Sequence, residues 1–341
     1  MAYRFYGWEN AACAQLGNRY PGITSPRALY DALSLLWCRQ TCAPRMRKDW
    51  TQENPTLGQC SVTAFLCQDI FGGEVRGIAL PDGSVHCYNV VGDCVFDLTS
   101  EQFGKGVLDY SENPIQSREA HFAKQEKARR YEYLCALLDG FCRFGIRRLP
   151  KKDWKGTPIL MRYTTDTYFD VVIEEEEDKM RVVLEKKRFE SPVTHTPEEY
   201  DYPDKLYQDH WEDADAWGIA GKDGTLLACI ETCPESWSNR LMVTELWVHE
   251  SLRRKGVGTR LMDIAKGETE LMGNRALILE MQSCNTAAFA FYRAQGYHLA
   301  GFDSCCYTNS DIARKEVRLD LAWFPEDWEG KTKRFDSESN S

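Results

Sequence analysis

The sequence predicts a protein of two domains in the α+β or α/β class. Its 341 residues are enough for about two domains of ordinary size, each with a sizeable core. The basic stretch RRLPKKDWKGTP, at residues 147–158, places prolines and a glycine between two patterned segments, as linkers do. We therefore expect one domain at residues 1–150 and a second at residues 157–325. Segments of helical and of strand periodicity occur in both halves, which indicates a mixed class.

Charge and composition limit the partners. The chain carries 42 basic and 52 acidic side chains, a formal net charge of -10, so we expect no nucleic-acid or membrane partner and favour cationic ones. No window approaches about 18 consecutive apolar residues, and the N-terminal sequence lacks the blocks of a signal peptide, which predicts a cytoplasmic location. The 14 cysteines are scattered through a large chain without zinc-site spacing, so we expect buried thiols and no metal.

Two further segments are predicted from composition and periodicity. Residues from about Gln116 to Asp139 have apolar groups at helical spacing, which predicts one helix that ends at Gly140. The C-terminal residues 329–341 are polar and poor in apolar groups, which predicts a disordered tail.

A cysteine lies at a predicted helix start in the first half. In NPTLGQCSVTAFLCQDIFGG, Pro55 and Gly58 predict a turn, a helix follows, and Gly72 and Gly73 end it. Cys60 is then at the helix N-terminus, where the helix dipole and free amides stabilise a thiolate. The thiolate is the reactive form of cysteine.

A histidine and an aspartate follow on two predicted strands. His86 lies in SVHCYNVV and Asp97 in CVFDLTSEQF. The order Cys60, His86, Asp97 suits a thiolate and imidazolium pair whose ring is oriented by a carboxylate. These three residues are therefore predicted as catalytic, and the alternative is that Cys60 and His86 are ordinary core residues.

This arrangement resembles that of papain-like and transglutaminase-like cysteine enzymes, which implies a papain-like α+β domain. The pattern NPT-x-GQC, GG, H-x-YN and DLT-x-EQF also resembles the YunG-like family, over about residues 30–140. That resemblance implies no activity.

In the second half, a strand is followed by a glycine-rich turn and a helix. LMVTELWV predicts a strand near the centre of a sheet, and TRLMDIAKGETELMG predicts an amphipathic helix. Between them, HESLRRKGVG places glycines at the helix start, where free N–H groups and the dipole bind phosphate. The Walker pattern is absent, and Leu261 stands where a dinucleotide-binding motif needs its third glycine. We therefore predict a phosphate-binding turn of another kind.

These residues resemble a known family. Arg253, Gly256 and Gly258 fit R-x-x-G-x-G, the acetyl-coenzyme A signature of the GCN5-related N-acetyltransferases (GNAT). The motifs LE-x-Q, N-x-x-A-x-x-FY and GFD-x-x-x-Y then follow, in the order of the streptothricin acetyltransferase branch. The resemblance covers residues 157–325 in outline. It implies a mixed, mostly antiparallel sheet flanked by helices, and acetyl-coenzyme A as cosubstrate.

The resemblance also implies roles for individual residues. Tyr292 matches the general acid, and Glu245 the position from which many relatives deprotonate the amine. Asn285 matches a contact to the coenzyme arm. The full set of implied cofactor-binding residues is Leu246, Trp247, Val248, Arg253, Arg254, Lys255, Gly256, Val257, Gly258, Thr259, Asn285 and Tyr292.

The acceptor implied is a cationic amine, because this branch acetylates an amine of a cationic antibiotic. Glu231, Glu245 and Asp303 are then candidate ligands of the positive substrate. We expect acetyl transfer to a streptothricin-type antibiotic or a polyamine, with antibiotic resistance as one role. The alternatives are acetylation of a protein lysine or N-terminal amine, a cysteine hydrolase or amidase with an accessory acetyltransferase domain, and a first domain that recruits partners without catalysis.

Overall fold

The computed structural model describes residues 5–104, 106–199 and 203–326, and the predicted disordered tail at residues 329–341 lies outside these ranges. The chain divides into two compact units, Met1–Arg148 and Leu149–Ser341. Both units combine helices with β-sheet, which confirms the predicted mixed class.

The first unit contains a three-stranded antiparallel sheet, a short further strand and several helices. The sheet has the order β1, β2, β3. In chain order the elements are α1 Pro26–Ser34, α2 Cys60–Phe71, β1 Glu74–Ala79, β2 Val85–Val91, β3 Cys94–Phe96, α3 Arg118–Phe122, α4 Gln125–Phe144 and β4 Arg147–Arg148.

Helix α2 and strand β2 pack directly against each other. The helix begins at Cys60 and ends at Phe71, directly before Gly72, as predicted. Its Val62, Phe65 and Leu66 have no exposed surface, because the sheet and the other helices cover them. Packing of this apolar face brings the helix N-terminus next to the strand.

The predicted helix from about Gln116 is wrong in its extent. The segment forms two helices, α3 and α4, and α4 continues past Gly140 to Phe144 before Gly145 ends it. Gly140 is buried in the helix interior, where packing against the core outweighs the low helix propensity of glycine.

The second unit consists of a long hairpin, a large sheet and helices. In chain order its elements are α5 Lys151–Trp154, β5 Tyr163–Glu176, β6 Lys179–His195, β7 Asp215–Ala220, β8 Leu226–Glu235, β9 Arg240–Val248, α6 Val257–Met272, β10 Ala276–Gln282, α7 Thr286–Ala294, β11 His298–Asp303, α8 Asp311–Arg314 and β12 Arg318–Trp323.

The strands of the large sheet that belong to this unit have the order β11, β12, β10, β9, β8, β7. All neighbours are antiparallel except β9 and β10, which are parallel. The sheet is thus mixed and mostly antiparallel, and α6 packs on its central strands β8, β9 and β10. Strands β5 and β6 form a separate two-stranded antiparallel hairpin.

Candidate functional site

The two parallel strands of the second unit diverge. The pairing of β9 with β10 ends at Val243 opposite Leu279, although β9 continues to Val248 and β10 to Gln282. On its other side, β9 stays paired with β8 through this stretch. The main chain of residues 246–248 therefore has one edge directed at the gap between the strands.

A cavity of about 350 Å³ opens at this gap. Strand β9 contributes Glu245 to its lining, α7 contributes Tyr292 and its N-cap Asn285, and the β5–β6 hairpin contributes Tyr163 and His195. The fold thus brings the predicted base, the predicted acid and the predicted coenzyme contact to one cavity.

Burial changes the acidity of Glu245. Its side chain lies in the buried face of β9 and is 6% exposed. Burial raises the pKa of Glu245 well above its usual range, and the nearby carboxyl groups of Asp204 and Glu231 raise it further, while a hydrogen bond to Gln208 opposes them. A carboxylate whose pKa is raised in this way binds a proton more strongly, as a general base must.

Tyr292 is buried and lines the same cavity. Burial raises the pKa of its phenol, and the charge of Glu245 adds to that increase. The phenol therefore keeps its proton throughout the neutral range. A protonated hydroxyl in the cavity lining is able to donate its proton to a leaving group.

The cavity has an acidic lining. Asp204 and Glu280 line it together with Glu245, and none of its described lining residues is a lysine or arginine. Burial is the largest cause of the raised pKa of both Asp204 and Glu280. A cationic group entering the cavity would restore the ionised form of these carboxyl groups.

Glu231 and Asp303 are not among the residues that line the cavity. Glu231 has no exposed surface, and its two oxygens accept hydrogen bonds from the Tyr207 amide at 2.6 Å and the Thr244 hydroxyl at 2.8 Å. Asp303 accepts a hydrogen bond from the Cys305 amide at 3.0 Å. Glu231 therefore acts on the cavity through its effect on the pKa of Glu245, whereas Asp303 closes a turn.

The start of α6 has the geometry of a phosphate-binding turn. Gly256 is the N-cap with φ 88°, and Arg254 before it has φ 58°. A side chain at Gly258 would begin 3.5 Å from the ring of Phe291. The first N–H groups of a helix have no acceptor within the helix, and these backbone angles leave them open to a ligand, so the turn fits a pyrophosphate.

The basic side chains at this turn have different surroundings. Arg253 donates hydrogen bonds to the carbonyl oxygens of Val248 at 2.9 Å and Arg162 at 3.2 Å. Arg254 and Lys255 are exposed. Arg253 thus links the end of β9 to the main chain at Arg162. The exposed side chains of Arg254 and Lys255 are accessible to an anion.

Sequence reasoning missed several of the cavity residues. Tyr163 donates a hydrogen bond to Gln282 at 2.6 Å, and His195 lies 3.2 Å from Glu199. Tyr163 and His195 come from the hairpin, and no local motif marks them because their position depends on how the hairpin packs. Asp204 lies in a loop without a recognisable pattern, whereas Glu280 belongs to the LE-x-Q motif and was overlooked there.

The first unit brings its three predicted catalytic residues together. Cys60 is the first residue of α2, His86 lies within β2, and Asp97 directly follows β3. The distance from His86 Nε2 to Asp97 Oδ2 is 2.5 Å, and both side chains are 1% exposed. Asp97 also accepts hydrogen bonds at 2.9 Å from the Thr99 amide and hydroxyl and from the Tyr110 hydroxyl. The carboxylate is thereby fixed in position.

The electrostatics of this group favour an ion pair. A hydrogen bond from the Cys87 thiol is the largest cause that holds the pKa of Cys60 well below its usual range, and His86 adds to it against the effect of burial. Burial lowers the pKa of His86, but the charge and hydrogen bond of Asp97 outweigh it and raise the pKa to about 10. Both shifts favour an ionised sulfur beside a protonated ring. Both residues line a cleft of about 850 Å³.

Comparison with known families agrees with this division of the chain. Residues 25–141 match the family described as YunG protein, and residues 181–297 match the Acetyltransferase (GNAT) family. Both predicted resemblances are confirmed. The second match also confirms the predicted acetyltransferase domain in this half of the chain. The likeness of the first unit to papain stays a prediction.

Individual proteins match each half separately. The uncharacterized protein YunG of Bacillus subtilis (strain 168) is 36% identical over 96 residues, which cover 28% of this chain and 80% of that protein. The streptothricin acetyltransferase of Streptomyces lavendulae is 33% identical over 98 residues, 28% of this chain and 52% of that protein. A crystal structure of nourseothricin acetyltransferase is 26% identical with a TM-score of 0.41, and the match covers 52% of this chain and 96% of that one.

The described residues contain neither a candidate metal site nor a helix that could cross a membrane. Within residues 5–104, 106–199 and 203–326, no group of three or more His, Cys, Asp or Glu side chains has the geometry of a metal site. In the same ranges, none of the helices combines the length and apolar character needed to cross a bilayer.

Proposed function

The chain belongs to the YunG family, and we propose that its second unit, which carries a GNAT acetyltransferase domain, acetylates a primary amine of a small cationic molecule. A streptothricin-type antibiotic is the preferred acceptor, and a polyamine is the next. The observation that carries this proposal is the acidic cavity at the gap between β9 and β10, with Glu245 and Tyr292 in its lining.

The charge and size of the cavity support a small cation. Asp204, Glu245 and Glu280 lie in the lining without a lysine or arginine among the described residues beside them, so a cationic amine gains attraction from several carboxyl groups at once. A volume of about 350 Å³ is at the lower end of ordinary small-molecule sites, which measure roughly 300–1,000 Å³. The named activities of the two similar acetyltransferases support the antibiotic class.

Glu245 and Tyr292 have the properties that amine acetylation requires. The amine must lose a proton before it attacks, and the raised pKa of Glu245 makes its carboxylate a suitable acceptor. The thiolate that leaves must gain a proton, and Tyr292 holds one because burial raises the pKa of its phenol. We assign the base to Glu245 and the acid to Tyr292.

The coenzyme is assigned to the gap and the turn beside it. Acetyl-coenzyme A supplies the acetyl group as a thioester. The unpaired edge of residues 246–248 is available to the pantetheine arm, and Asn285 lies beside it in the cavity lining. Residues 254–259 are assigned to the pyrophosphate, with Gly256 and Gly258 allowing its close approach. Arg253 positions this turn through its bonds to the main chain.

The test is a screen of acceptors with purified full-length protein and acetyl-coenzyme A, in which release of free coenzyme A is measured. The panel contains streptothricin, aminoglycosides, polyamines and lysine peptides. We expect streptothricin to give the highest kcat/KM, and acetylated product to appear in the mass spectrum. A preference for lysine peptides would contradict the small-molecule assignment. If calorimetry detects no binding of acetyl-coenzyme A, the donor assignment fails as well.

A further inference from the structure

The first unit contains a second cluster of reactive groups that acetyl transfer does not use. Cys60 and His86 line a cleft of about 850 Å³, and the Asp97 carboxylate contacts Nε2 of His86. His86 uses Nε2 to bind Asp97, while its buried Nδ1 has no hydrogen-bond partner of normal length within the described residues. Because Nε2 is occupied, Nδ1 is the nitrogen available to exchange a proton with Cys60 or a substrate.

The wall of the same cleft carries unneutralised positive charge. Besides Cys60 and His86, the lysine, arginine and carboxylate residues in its described lining are Arg45, Asp82, Lys124, Glu126, Lys127 and Arg130. Arg45 pairs with Asp82 at 3.3 Å, and Arg130 pairs with Glu126. Among the described residues, neither Lys124 nor Lys127 forms an ion pair with a carboxylate, and Lys127 contacts His121 instead. The cleft is thus suited to a ligand that carries negative charge.

A histidine beside Lys127 adds an unused donor. The Lys127 ammonium donates to Nδ1 of His121 at 3.2 Å, so the imidazole proton resides on Nε2. Burial lowers the pKa of His121 to about 3, with Lys127 as the next cause, and the ring is neutral. His121 lines the cleft and is 8% exposed, and its Nε2 has no partner in the part of the chain that the structure describes. Buried donors of this kind normally have an acceptor.

From these observations, we propose that the first unit is a second catalytic centre, in which Cys60 attacks the acyl carbon of an amide or ester whose acyl chain carries a carboxylate. Lys124, Lys127 and His121 bind that carboxylate. The inference does not depend on the acetyltransferase assignment, because it concerns other residues and another unit.

The reaction proceeds in two balanced steps. In the first, the Cys60 thiolate forms a bond to the carbonyl carbon, the bond from that carbon to the leaving nitrogen or oxygen breaks, and the protonated His86 transfers its proton to the leaving group. The products are a thioester on Cys60 and a free amine or alcohol. In the second, water attacks the thioester carbon, His86 takes a proton from the water, and the carbon–sulfur bond breaks. The carboxylic acid leaves, and the ion pair is restored.

The test compares two activated esters of equal length, p-nitrophenyl hemisuccinate and p-nitrophenyl butyrate, which differ in a terminal carboxylate or methyl group. Full-length reduced protein is mixed with each ester, and the burst of nitrophenol is recorded. We expect a burst with both esters and a rate roughly fivefold or more higher for the succinyl ester, as one solvated charge contact at about 4 Å would give. Peptide mapping after acid quenching should find the acyl group on Cys60.

Matched variants separate the parts of the proposal. Cys60→Ser should abolish the burst, whereas Cys142→Ser should keep it, because burial raises the pKa of Cys142 to about 11 and makes it unreactive. The double variant with Lys124→Gln and Lys127→Gln should lower the ratio of the succinyl rate to the butyryl rate to about one. Lys48→Gln, at an exposed lysine that does not line the cleft, should change neither rate.

Each remaining outcome decides against a part of the proposal. Acyl groups found on other residues, or no acyl group on Cys60 in the wild-type protein, would overturn the catalytic centre even if Cys60→Ser failed to fold. Equal rates for the two esters in the wild-type protein would overturn the anionic acyl class. Calorimetric binding of acetyl-coenzyme A to the same samples reports the other unit independently.

Discussion

Glu245 and Tyr292 line one cavity of the second unit, where burial and then the charge of Glu245 raise the pKa of the Tyr292 phenol. One residue lies on the central strand β9 and the other on helix α7, so neither receives its properties from its own element alone. The two groups are coupled, because the charge state of the assigned base changes the strength of the assigned acid.

Tyr292→Phe should slow acetyl transfer without weakening donor binding. The substitution removes the proton that the leaving thiolate needs and keeps the ring that packs in the cavity. We expect kcat to fall by about 10²- to 10⁴-fold while the Kd of acetyl-coenzyme A stays unchanged. Steady-state kinetics and calorimetry measure the two effects. Tyr168→Phe on β5, outside the cavity lining, is the control, and an equal loss in both variants would speak against a specific role.

Glu245→Gln should change the pH dependence of the reaction. In the wild-type protein, the base is inactive when protonated, so kcat/KM should fall as the pH drops through the raised pKa of Glu245. The variant should be slower by about 10²- to 10⁴-fold, and this acidic limb should disappear. An unchanged limb in the variant would assign it to another group. Glu250→Gln, at an exposed position, is the matched control.

Glu245→Gln should also make the fold more stable at higher pH. The folded-state pKa of Glu245 lies well above its ordinary value of 4.5, so its contribution to the free energy of unfolding falls as pH rises from 4.5 through the folded-state pKa. Glutamine does not ionise. Between pH 4.5 and the folded-state pKa of Glu245, the free energy of unfolding of the variant should therefore increase relative to that of the wild type. Urea unfolding at several pH values measures it, and a constant difference would contradict the raised pKa.

Substitutions at the start of α6 should have unequal effects on donor binding. Gly258→Trp would drive a ring toward Phe291, and Gly256→Val would place a β-branched residue at φ 88°. We expect either variant to abolish calorimetric binding of acetyl-coenzyme A. Arg254→Ala removes only an exposed charge, so the Kd should increase by at most about fivefold. If Arg254→Ala is the most damaging change, the side chains and not the backbone hold the pyrophosphate.

Asp97→Asn should destabilise the first unit most at low pH. The pKa of His86 is raised from 6.5 to about 10, so the stability from this pair is fully present below pH 6.5 and is lost as the pH rises through about 10. Loss of one partner of a buried pair costs about 3–5 kcal/mol. We expect the difference from wild type in the free energy of unfolding to shrink between these two pH values. In a His86→Gln background, the pH dependence of that difference should vanish.

Some features of this protein could be predicted because they depend on neighbours in the chain. The glycine-rich turn between β9 and α6 is visible as Gly256 and Gly258 after an apolar strand, and the helix start at Cys60 follows from a turn before an apolar run. The extent of α4 could not be predicted in the same way. A buried glycine inside a helix looks like a terminus until the core that covers it is known.

The candidate sites likewise combine residues that local motifs identify with residues that only long-range packing brings together. The LE-x-Q and FY motifs identify Tyr292 and its helix without a structure, and the order Cys60, His86, Asp97 can be seen in the chain. The sequence does not say which carboxyl groups share a cavity. It favoured Glu231 and Asp303 as ligands of a positive substrate. In the structure, both accept hydrogen bonds from other residues of the chain, and the cavity is lined by Asp204 and Glu280.

By itself, the sequence determined the two domains, their family resemblances, the strand-turn-helix unit and the residue types available for chemistry, because motifs and periodicity are local properties. Only the tertiary structure decided that Glu245 and Tyr292 share one cavity, that Tyr163 and His195 border it, and that Asp97 meets His86 at 2.5 Å. Those relationships join residues distant in the chain. They depend on burial and on long-range packing, which also set the pKa values on which both proposed reactions rely.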